Sequence, residues 1–233
     1  EKGTAYEQEV VAGLDIPFLD LTPYSMEEKE IKTHEAIENK EPLIYRGRIS
    51  VDDLLGEPDL LRLEEDGYVA GDIKSGSAEE GGEDDPRPKK HYAAQLALYT
   101  DILERKQLST RREPFVWDIR GLEVTYALDE LTGKKDPTTL WEIYQEKLDE
   151  ARRIVNQAGK SIPAYSSKCK LCHWKTECLK TMEKTDDLTL LPGLGRTKRD
   201  VLLNEIQTVD DLANTPIEPF IEGRGTIFRG IGI

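Results

Sequence analysis

Two short apolar stretches that carry acidic residues constrain the fold of this 233-residue chain most strongly. The stretches 59–64 and 68–75 are separated by Glu-Asp-Gly, which favours a tight turn, so together they predict a β-hairpin. Side chains alternate along a strand, so Asp72 and Lys74 are expected on one face while Ile73 points into the core. The hairpin therefore predicts a carboxylate with an amine beside it.

The two carboxylates of this hairpin indicate a site for a hard cation. Asp59 opens the first strand and Asp72 lies in the second, so their side chains would stand on adjacent strands. Mg²⁺ and Mn²⁺ bind through such carboxylates, and Lys74 would add an amine next to the ion. These groups together favour metal-assisted hydrolysis of a phosphodiester.

A helix is predicted after the hairpin, because Lys89–Lys106 has apolar residues at helical spacing. Gln95 and Tyr99 are four residues apart and would share one face of it. The other predicted elements are a helical region over 1–39 with a loop at 17–23 and a second helix at 26–38, a strand at 43–49, a flexible loop at 75–88, a hairpin of 115–119 with 122–128, and a helix at 139–158 ended by Gly159. This order predicts an α/β fold around a mixed sheet.

These residues, in this order, resemble the RecB-like branch of the PD-(D/E)xK nucleases. The matching motifs are Gly3-Thr-Ala-Tyr-Glu7 for an opening G-x-x-H-E helix, then Asp59, Asp72-Ile73-Lys74, and Gln95-Leu-Ala-Leu-Tyr99 for Q-x-x-x-Y. Tyr6 stands where many relatives carry a metal-binding histidine. The resemblance implies a restriction-endonuclease-like fold, in which helices flank a mixed central sheet.

The resemblance also implies roles for the motif residues. Asp59, Asp72 and the backbone carbonyl of Ile73 would hold Mg²⁺ or Mn²⁺, and Glu7 would supply a further carboxylate. Lys74 would orient the attacking water and offset charge on the phosphate.

Gln95 and Tyr99 would position the substrate strand or the catalytic lysine. The implied function is a metal-dependent deoxyribonuclease, acting on single strands or at ends. Two alternatives stay open: a nucleic-acid-binding scaffold whose nuclease site has decayed, and a CRISPR-associated nuclease that processes spacers.

All three cysteines lie in one ten-residue segment, which favours a metal site over disulfides. Cys169, Cys172 and Cys178 could bind Zn²⁺ with His173, the Cys-x-x-Cys-His run matches a haem attachment pattern, and three ordinary thiols are a further possibility. RecB-like nucleases with an iron–sulfur clamp share the C-x2-C-x5-C spacing. The resemblance thus implies a [4Fe–4S] cluster whose fourth ligand lies before Glu1.

Near the C-terminus, the stretch Leu191-Pro-Gly-Leu-Gly195 resembles the hairpin of a helix-hairpin-helix unit. Its glycines would let backbone N–H groups approach a phosphate at a helix start. The residues that would bind nucleic acid are Gly193, Gly195, Arg196, Lys198 and Arg199. A plain helix connector, or a protein-binding unit, is the alternative.

The predicted organisation is a nuclease core over 1–165, a cysteine segment over 166–183 and a small all-α helix-hairpin-helix appendage over 184–233. The net charge of −14 argues against a nucleic-acid partner, although five lysines lie within 160–180. No run of 18 apolar residues and no signal-peptide pattern is present, so we expect a cytoplasmic protein without a membrane span. The abrupt ends of the chain suggest a further domain downstream.

Overall fold

The computed structural model describes residues 2–81, 85–133, 137–158, 161–223, 225–228 and 231. The chain divides into two compact units, Glu1–Val155 and Asn156–Ile233. The finer division at 165 and 183 stays a prediction.

The first unit contains four helices and a six-stranded mixed sheet within the described residues. Its helices are α1 (Lys2–Ala12), α2 (Met26–Glu38), α3 (Lys90–Arg105) and α4 (Leu140–Val155). Its strands are β1 (Leu19–Asp20), β2 (Leu43–Tyr45), β3 (Ile49–Val51), β4 (Leu54–Gly56), β5 (Leu60–Glu64), β6 (Gly67–Ile73), β7 (Glu79–Glu80), β8 (Arg87–Pro88), β9 (Phe115–Trp117), β10 (Glu123–Thr125), β11 (Leu131–Thr132) and β12 (Thr138–Thr139). The sheet order is β1-β2-β5-β6-β9-β10, with β1 parallel to β2 and β6 parallel to β9.

The predicted hairpin is confirmed as the antiparallel pair β5–β6 at the centre of this sheet. Glu64 pairs with Gly67 and Leu60 with Gly71, so only Glu65 and Asp66 form the connection. Gly67 has a φ of +114°, and a Cβ there would overlap the carbonyl of Leu108. Glycine is required at this point of the turn.

Helices cover both faces of the sheet, because apolar side chains alternate along its central strands. Leu60 belongs to the cluster shared with Val11 of α1, whereas Leu61 packs in the cluster shared with Leu96 of α3. Both leucines are fully buried, and such burial stabilises the fold by roughly 1.5–3 kcal/mol for each side chain. The predicted α/β fold with helices flanking a mixed central sheet is thus confirmed.

One predicted strand is shorter than its sequence pattern indicated. The stretch 43–49 was expected to form a single strand, but β2 ends at Tyr45 because Arg46 adopts a left-handed φ of +59°. Ile49 instead begins β3, which pairs with β4 as a separate hairpin. The kink leaves the Arg46 side chain at the end of β2, beside the start of β5.

Three other predicted boundaries also differ. The helix α4 ends at Val155 rather than at Ala158, and the predicted stop at Gly159 lies outside the described residues. The loop 75–88 contains the short pair β7–β8, and its residues 82–84 are likewise not described. The loop at 17–23 holds the two-residue strand β1.

The second unit is mainly helical. Its helices are α5 (Lys175–Lys184), α6 (Arg196–Leu202) and α7 (Val209–Asn214), with 3-10 turns at Ser167–Leu171, Leu188–Leu190 and Glu218–Phe220. A short strand pair, β13 (Ile221–Glu222) with β14 (Gly225–Thr226), accompanies them. Leu188, Leu202, Ile206 and Phe228 form its core. Among the helices of the described ranges in either unit, none is long and apolar enough to cross a membrane.

Candidate active site

The buried end of β6 carries the aspartate of the hairpin. Asp72 is 1% exposed, and neither of its carboxylate oxygens accepts a hydrogen bond from a described residue. The Lys74 ammonium lies 2.7 Å from Oδ2 of Asp72, so the two groups form an ion pair although they are not aligned for a hydrogen bond. The predicted shared face of these side chains is confirmed by this distance.

Asp118, just after the neighbouring strand β9, shows that a buried aspartate in this fold can be fully satisfied. Its carboxylate accepts hydrogen bonds from the backbone N–H of Ala78 and Arg120 and from the Arg120 side chain. Although burial alone would raise the pKa of Asp118, these donors hold it below its ordinary value. Among the described residues, Asp72 is the one whose buried side-chain oxygens have no hydrogen-bond partner, and its oxygens are therefore open to a cation.

Asp59 lies immediately before β5 and faces Asp72 across the hairpin. Its Oδ2 accepts a hydrogen bond of 2.9 Å from the backbone N–H of Ile73. Burial raises the pKa of Asp59 to about 7, and the charge of Asp72 adds to the effect. Such a rise is expected where buried carboxylates share a site with too little positive charge.

Glu7 reaches the same end of the sheet from α1. Tyr45 donates a 3.0 Å hydrogen bond to Oε1 of Glu7, and Arg46 donates from Nη2 to Oε2. The other terminal nitrogen of Arg46, Nη1, lies 3.4 Å from Oδ1 of Asp59. The structure therefore brings Glu7 and Asp59 together through a guanidinium.

Tyr45 and Arg46 contact the candidate site directly, and the sequence analysis does not identify them. Their contacts with Glu7 span almost forty residues of chain, and no short motif contains both partners. An arginine directly after a predicted strand, close to that strand's pairing with the acidic hairpin, is the signal that could have identified one of them.

Gln95 and Tyr99 form a hydrogen-bonded chain that ends on the lysine. Lys74 donates to Oε1 of Gln95 at 3.2 Å, and Nε2 of Gln95 donates to the Tyr99 hydroxyl at 2.7 Å. Tyr99 in turn donates to the backbone carbonyl of Glu57 at 3.3 Å. Burial and the charge of Asp72 raise the pKa of Tyr99, so its hydroxyl stays protonated and fixes the orientation of the Gln95 amide.

Tyr6, at the position of the family histidine, points elsewhere. Its hydroxyl donates a 2.6 Å hydrogen bond to the backbone carbonyl of Asp118. The phenol is thereby committed to the loop after β9. Tyr6, which the resemblance aligns with a metal-binding histidine of relatives, thus makes a backbone contact here.

The site has the donors for one small divalent cation. Among the described residues, no group of three or more His, Cys, Asp or Glu lies close enough to hold a metal ion. Arg46 pairs with both Glu7 and Asp59. Mg²⁺, however, is commonly held by one or two carboxylates together with water and substrate phosphate. Asp59 and Asp72 meet that requirement, and the unsatisfied oxygens of Asp72 lack only a cation. A contribution from the Ile73 carbonyl stays a prediction.

The three cysteines have free thiols in the second unit. Cys172 is exposed, whereas Cys169 and Cys178 are half-buried, and the nearest polar contact of the Cys169 sulfur is 3.9 Å away. The described residues do not gather these thiols into a group that could hold a metal. The predicted iron–sulfur cluster has no support from their arrangement.

The glycine hairpin near the C-terminus has the geometry expected of a close-approach turn. Gly193 has a φ of +81°, Gly195 precedes the first turn of α6, and open space surrounds both α-carbons. Arg196 and Lys198 are exposed, and the Lys198 ammonium contacts the Gly193 carbonyl at 3.3 Å. These four residues stay candidates for nucleic-acid contact.

Arg199 requires a correction, because its side chain is buried. The guanidinium donates to the Pro163 carbonyl at 2.6 Å and to Asp187 at 3.2 Å, and it pairs with Asp200 at 2.9 Å. With 3% of its surface exposed, it holds the second unit together and cannot reach a phosphate. Arg199 is therefore removed from the predicted nucleic-acid surface.

Comparison with known proteins agrees with this geometry. The sequence profile of the PD-(D/E)XK nuclease superfamily matches residues 19–179, more than half of the chain. The match includes Asp59, Asp72, Lys74 and the three cysteines, whereas Glu7 precedes it. No curated protein is similar enough in sequence to be matched. The chain belongs to the PD-(D/E)XK nuclease superfamily.

Proposed function

We propose that this protein is a deoxyribonuclease that hydrolyses phosphodiester bonds with Mg²⁺ or Mn²⁺, on single strands or at DNA ends. The observation that carries the proposal is the fully buried Asp72 carboxylate, which accepts no hydrogen bond from any residue that the structure describes and faces both Asp59 and the Lys74 ammonium. Membership of a nuclease superfamily supports the reaction class. The RecB-like resemblance supports DNA as the substrate.

Asp59 and Asp72 would hold the cation. When bound, the metal would polarise the scissile phosphate and activate a water molecule. Lys74 would donate hydrogen bonds to the attacking water or to a phosphate oxygen, and so offset the charge that develops there. Gln95 keeps the ammonium directed toward this point, because Oε1 of its amide accepts from Lys74 while its Nε2 is held by Tyr99.

The second unit would offer its own contacts to the DNA backbone. Gly193 and Gly195 offer an uncrowded turn, and the exposed Arg196 and Lys198 supply positive charge in a chain that is otherwise strongly acidic. Contacts of this kind hold phosphates without reading the base sequence.

For the cysteines, the proposal is a [4Fe–4S] cluster, with Zn²⁺ as the alternative. Its support is the C-x2-C-x5-C spacing of Cys169, Cys172 and Cys178, together with their free thiols. A fourth ligand would come from outside these 233 residues.

A non-catalytic nucleic-acid-binding scaffold is the second candidate function. The observations that favour it are the commitment of Tyr6 to a backbone carbonyl and the hold of Arg46 on Glu7 and Asp59. The retained Asp72–Lys74 pair argues against it.

The test is cleavage of labelled single- and double-stranded DNA, and of RNA, with Mg²⁺, Mn²⁺ or EDTA. We expect metal-dependent cleavage of DNA that Lys74→Ala lowers by about 100-fold or more, because a charge that stabilises the transition state is removed. Lys89→Ala is the matched control, since Lys89 and Lys74 each lie 5.3 Å from the centre of the Tyr92 ring. Equal rates in wild type and Lys74→Ala would attribute cleavage to a contaminant, and inactivity with every metal would favour the scaffold.

A further inference from the structure

Arg46 is held among the acidic residues by a backbone hydrogen bond as well as by the contacts of its guanidinium. The Arg46 N–H donates a 2.9 Å hydrogen bond to the Asp59 carbonyl, and the left-handed φ of +59° turns the residue out of β2 toward Glu7. A left-handed arginine is uncommon and persists where the surrounding structure requires it. The backbone therefore starts this side chain toward Glu7 and Asp59, while the side-chain torsions stay free to change.

The charges of the site divide into two sets. Lys74 pairs with Asp72, whereas Arg46 pairs with both Glu7 and Asp59. A guanidinium stays protonated in proteins whatever its surroundings. Arg46 is thus a permanent cation that occupies two of the three carboxylates.

A divalent ion bound by Asp59 would meet this guanidinium at short range. Oδ2 of Asp59 already accepts the Ile73 N–H, and Oδ1 faces Arg46. Two cations that share one partly buried carboxylate repel each other strongly, because the local dielectric is low. Both carboxylate oxygens of Glu7 already accept hydrogen bonds, from Tyr45 and from Arg46, so Arg46 holds this carboxylate in its present orientation.

We propose that Arg46 is a positioning residue that competes with the divalent cation for Asp59 and Glu7 and thereby sets the affinity of the site for the metal. Metal binding displaces the guanidinium, and Glu7 then becomes free to join the site. The side chain of Arg46 is 34% exposed, so it has room to move toward solvent. This inference rests on the proposed metal-dependent function.

The test is calorimetric titration of Mn²⁺, without nucleic acid, into wild type, Arg46→Gln, Arg112→Gln and Asp72→Asn. Arg112 is the matched control, because it is 32% exposed and likewise bridges two carboxylates, those of Glu104 and Asp129. We expect Arg46→Gln to bind Mn²⁺ at least about tenfold more tightly than wild type, since like-charge repulsion is removed. Arg112→Gln should match wild type, and Asp72→Asn should abolish binding.

Unchanged or weaker binding by Arg46→Gln, with wild-type binding that depends on Asp72, would overturn this inference and leave the proposed function intact. Absence of Mn²⁺ binding in both wild type and Arg46→Gln would overturn the two together. If Arg46→Gln fails to fold, the guanidinium ¹⁵N–¹H signals of wild type answer the question. The Arg46 signals should shift and exchange faster on saturation with Mg²⁺ while those of Arg112 stay constant, and unchanged Arg46 signals would contradict displacement.

Discussion

The ammonium of Lys74 lies 2.7 Å from Oδ2 of Asp72, a carboxylate that accepts no hydrogen bond from the described residues. Burying a carboxylate that has one cationic neighbour and unused lone pairs destabilises the folded state, because the carboxylate loses its hydration without gaining hydrogen bonds. Arrangements of this kind are typical of functional sites. The stability and the activity of this protein are therefore expected to respond in opposite directions to changes at its acidic residues.

Tyr99→Phe tests the hydrogen bonds that link Lys74 through Gln95 to Tyr99. The substitution removes the hydroxyl that orients the Gln95 amide, and Lys74 should then sample other positions. We expect kcat to fall by between about tenfold and 100-fold with little change in KM, because misplacement of a reacting group is costly. In a Lys74→Ala background the same change should have no further effect. Additive losses in the double variant would show that Tyr99 acts by another route.

Asp59→Asn tests the electrostatics of the metal-free site. Unfolded aspartate titrates at about 3.9, whereas burial raises the pKa of Asp59 to about 7 in the fold. Between these values the folded state binds more protons, so the free energy of unfolding falls as pH rises from about 4 to about 7 and stays lowered above that.

Urea unfolding in EDTA measures this effect. At pH 8 we expect Asp59→Asn to be roughly 1–3 kcal/mol more stable than wild type, because the neutral amide can still accept the Ile73 N–H. Near pH 4 the difference should close, since wild-type Asp59 is then protonated in the fold. A difference that is the same at both pH values would exclude the titration of Asp59 as its cause.

Gly71→Ala tests the packing beneath the site. A Cβ at Gly71 would overlap the ring of Phe115, which packs against this point of β6. We expect a loss of roughly 1–3 kcal/mol in the free energy of unfolding, as is usual for overpacking a core. Gly3→Ala is the control in α1, where the added methyl meets nothing closer than 3.7 Å and should be neutral or stabilising. A neutral Gly71→Ala would show that the sheet can shift there.

The double substitution Arg196→Ala with Lys198→Ala tests the second unit. The affinities for unrelated DNA sequences should all fall by a similar factor. The slope of the logarithm of affinity against the logarithm of salt concentration should become shallower by about one unit for each phosphate that is no longer neutralised. The charge-matched control is Lys147→Ala with Lys180→Ala, since both lysines are exposed and pair with neighbouring glutamates. Arg199→Ala should instead destabilise this unit, because Asp187 would be left buried without its cation. An unchanged salt dependence in the Arg196 and Lys198 double variant would show that the glycine hairpin at 191–195 does not bind DNA.

Iron and zinc analysis tests the cysteine proposal. A protein extended upstream and purified anaerobically should contain iron and absorb visible light, and Cys172→Ser should lose both properties. The cluster would act as a clamp, so DNA cleavage should persist in part without it. A colourless protein with one zinc per chain would replace the cluster by a structural zinc site.

The local parts of this site were predictable from sequence, and the long-range parts were not. Alternation along β6 placed Asp72 and Lys74 together, and helical spacing placed Gln95 beside Tyr99. Both relationships follow from backbone periods alone. Arg46 was missed because its role depends on a left-handed turn and on a contact with α1, which no period encodes.

Arg199 was assigned wrongly for a related reason. A basic residue after a glycine hairpin has the same sequence appearance whether it faces solvent or an internal acid. Only the fold reveals that Asp187 and the Pro163 carbonyl surround its guanidinium. The sequence thus shows that a residue is charged, and only its burial in the fold shows whether it can contact a ligand.

The position of the hairpin in the sheet determines which part of the site opens first. The strands β5 and β6 have hydrogen-bonded neighbours on both sides, so their amides should exchange with solvent only when the whole unit unfolds. The helix α1 contacts one face of the sheet through a small apolar cluster and is not hydrogen-bonded into the sheet as the strands are. Fraying of α1 would withdraw Glu7 without separating Asp59 from Asp72. Backbone amides near Asp59 and Asp72 should therefore exchange slowly, whereas those near Glu7 in α1 should exchange fast. A ligand that slows exchange in α1 would show that it brings Glu7 into the site.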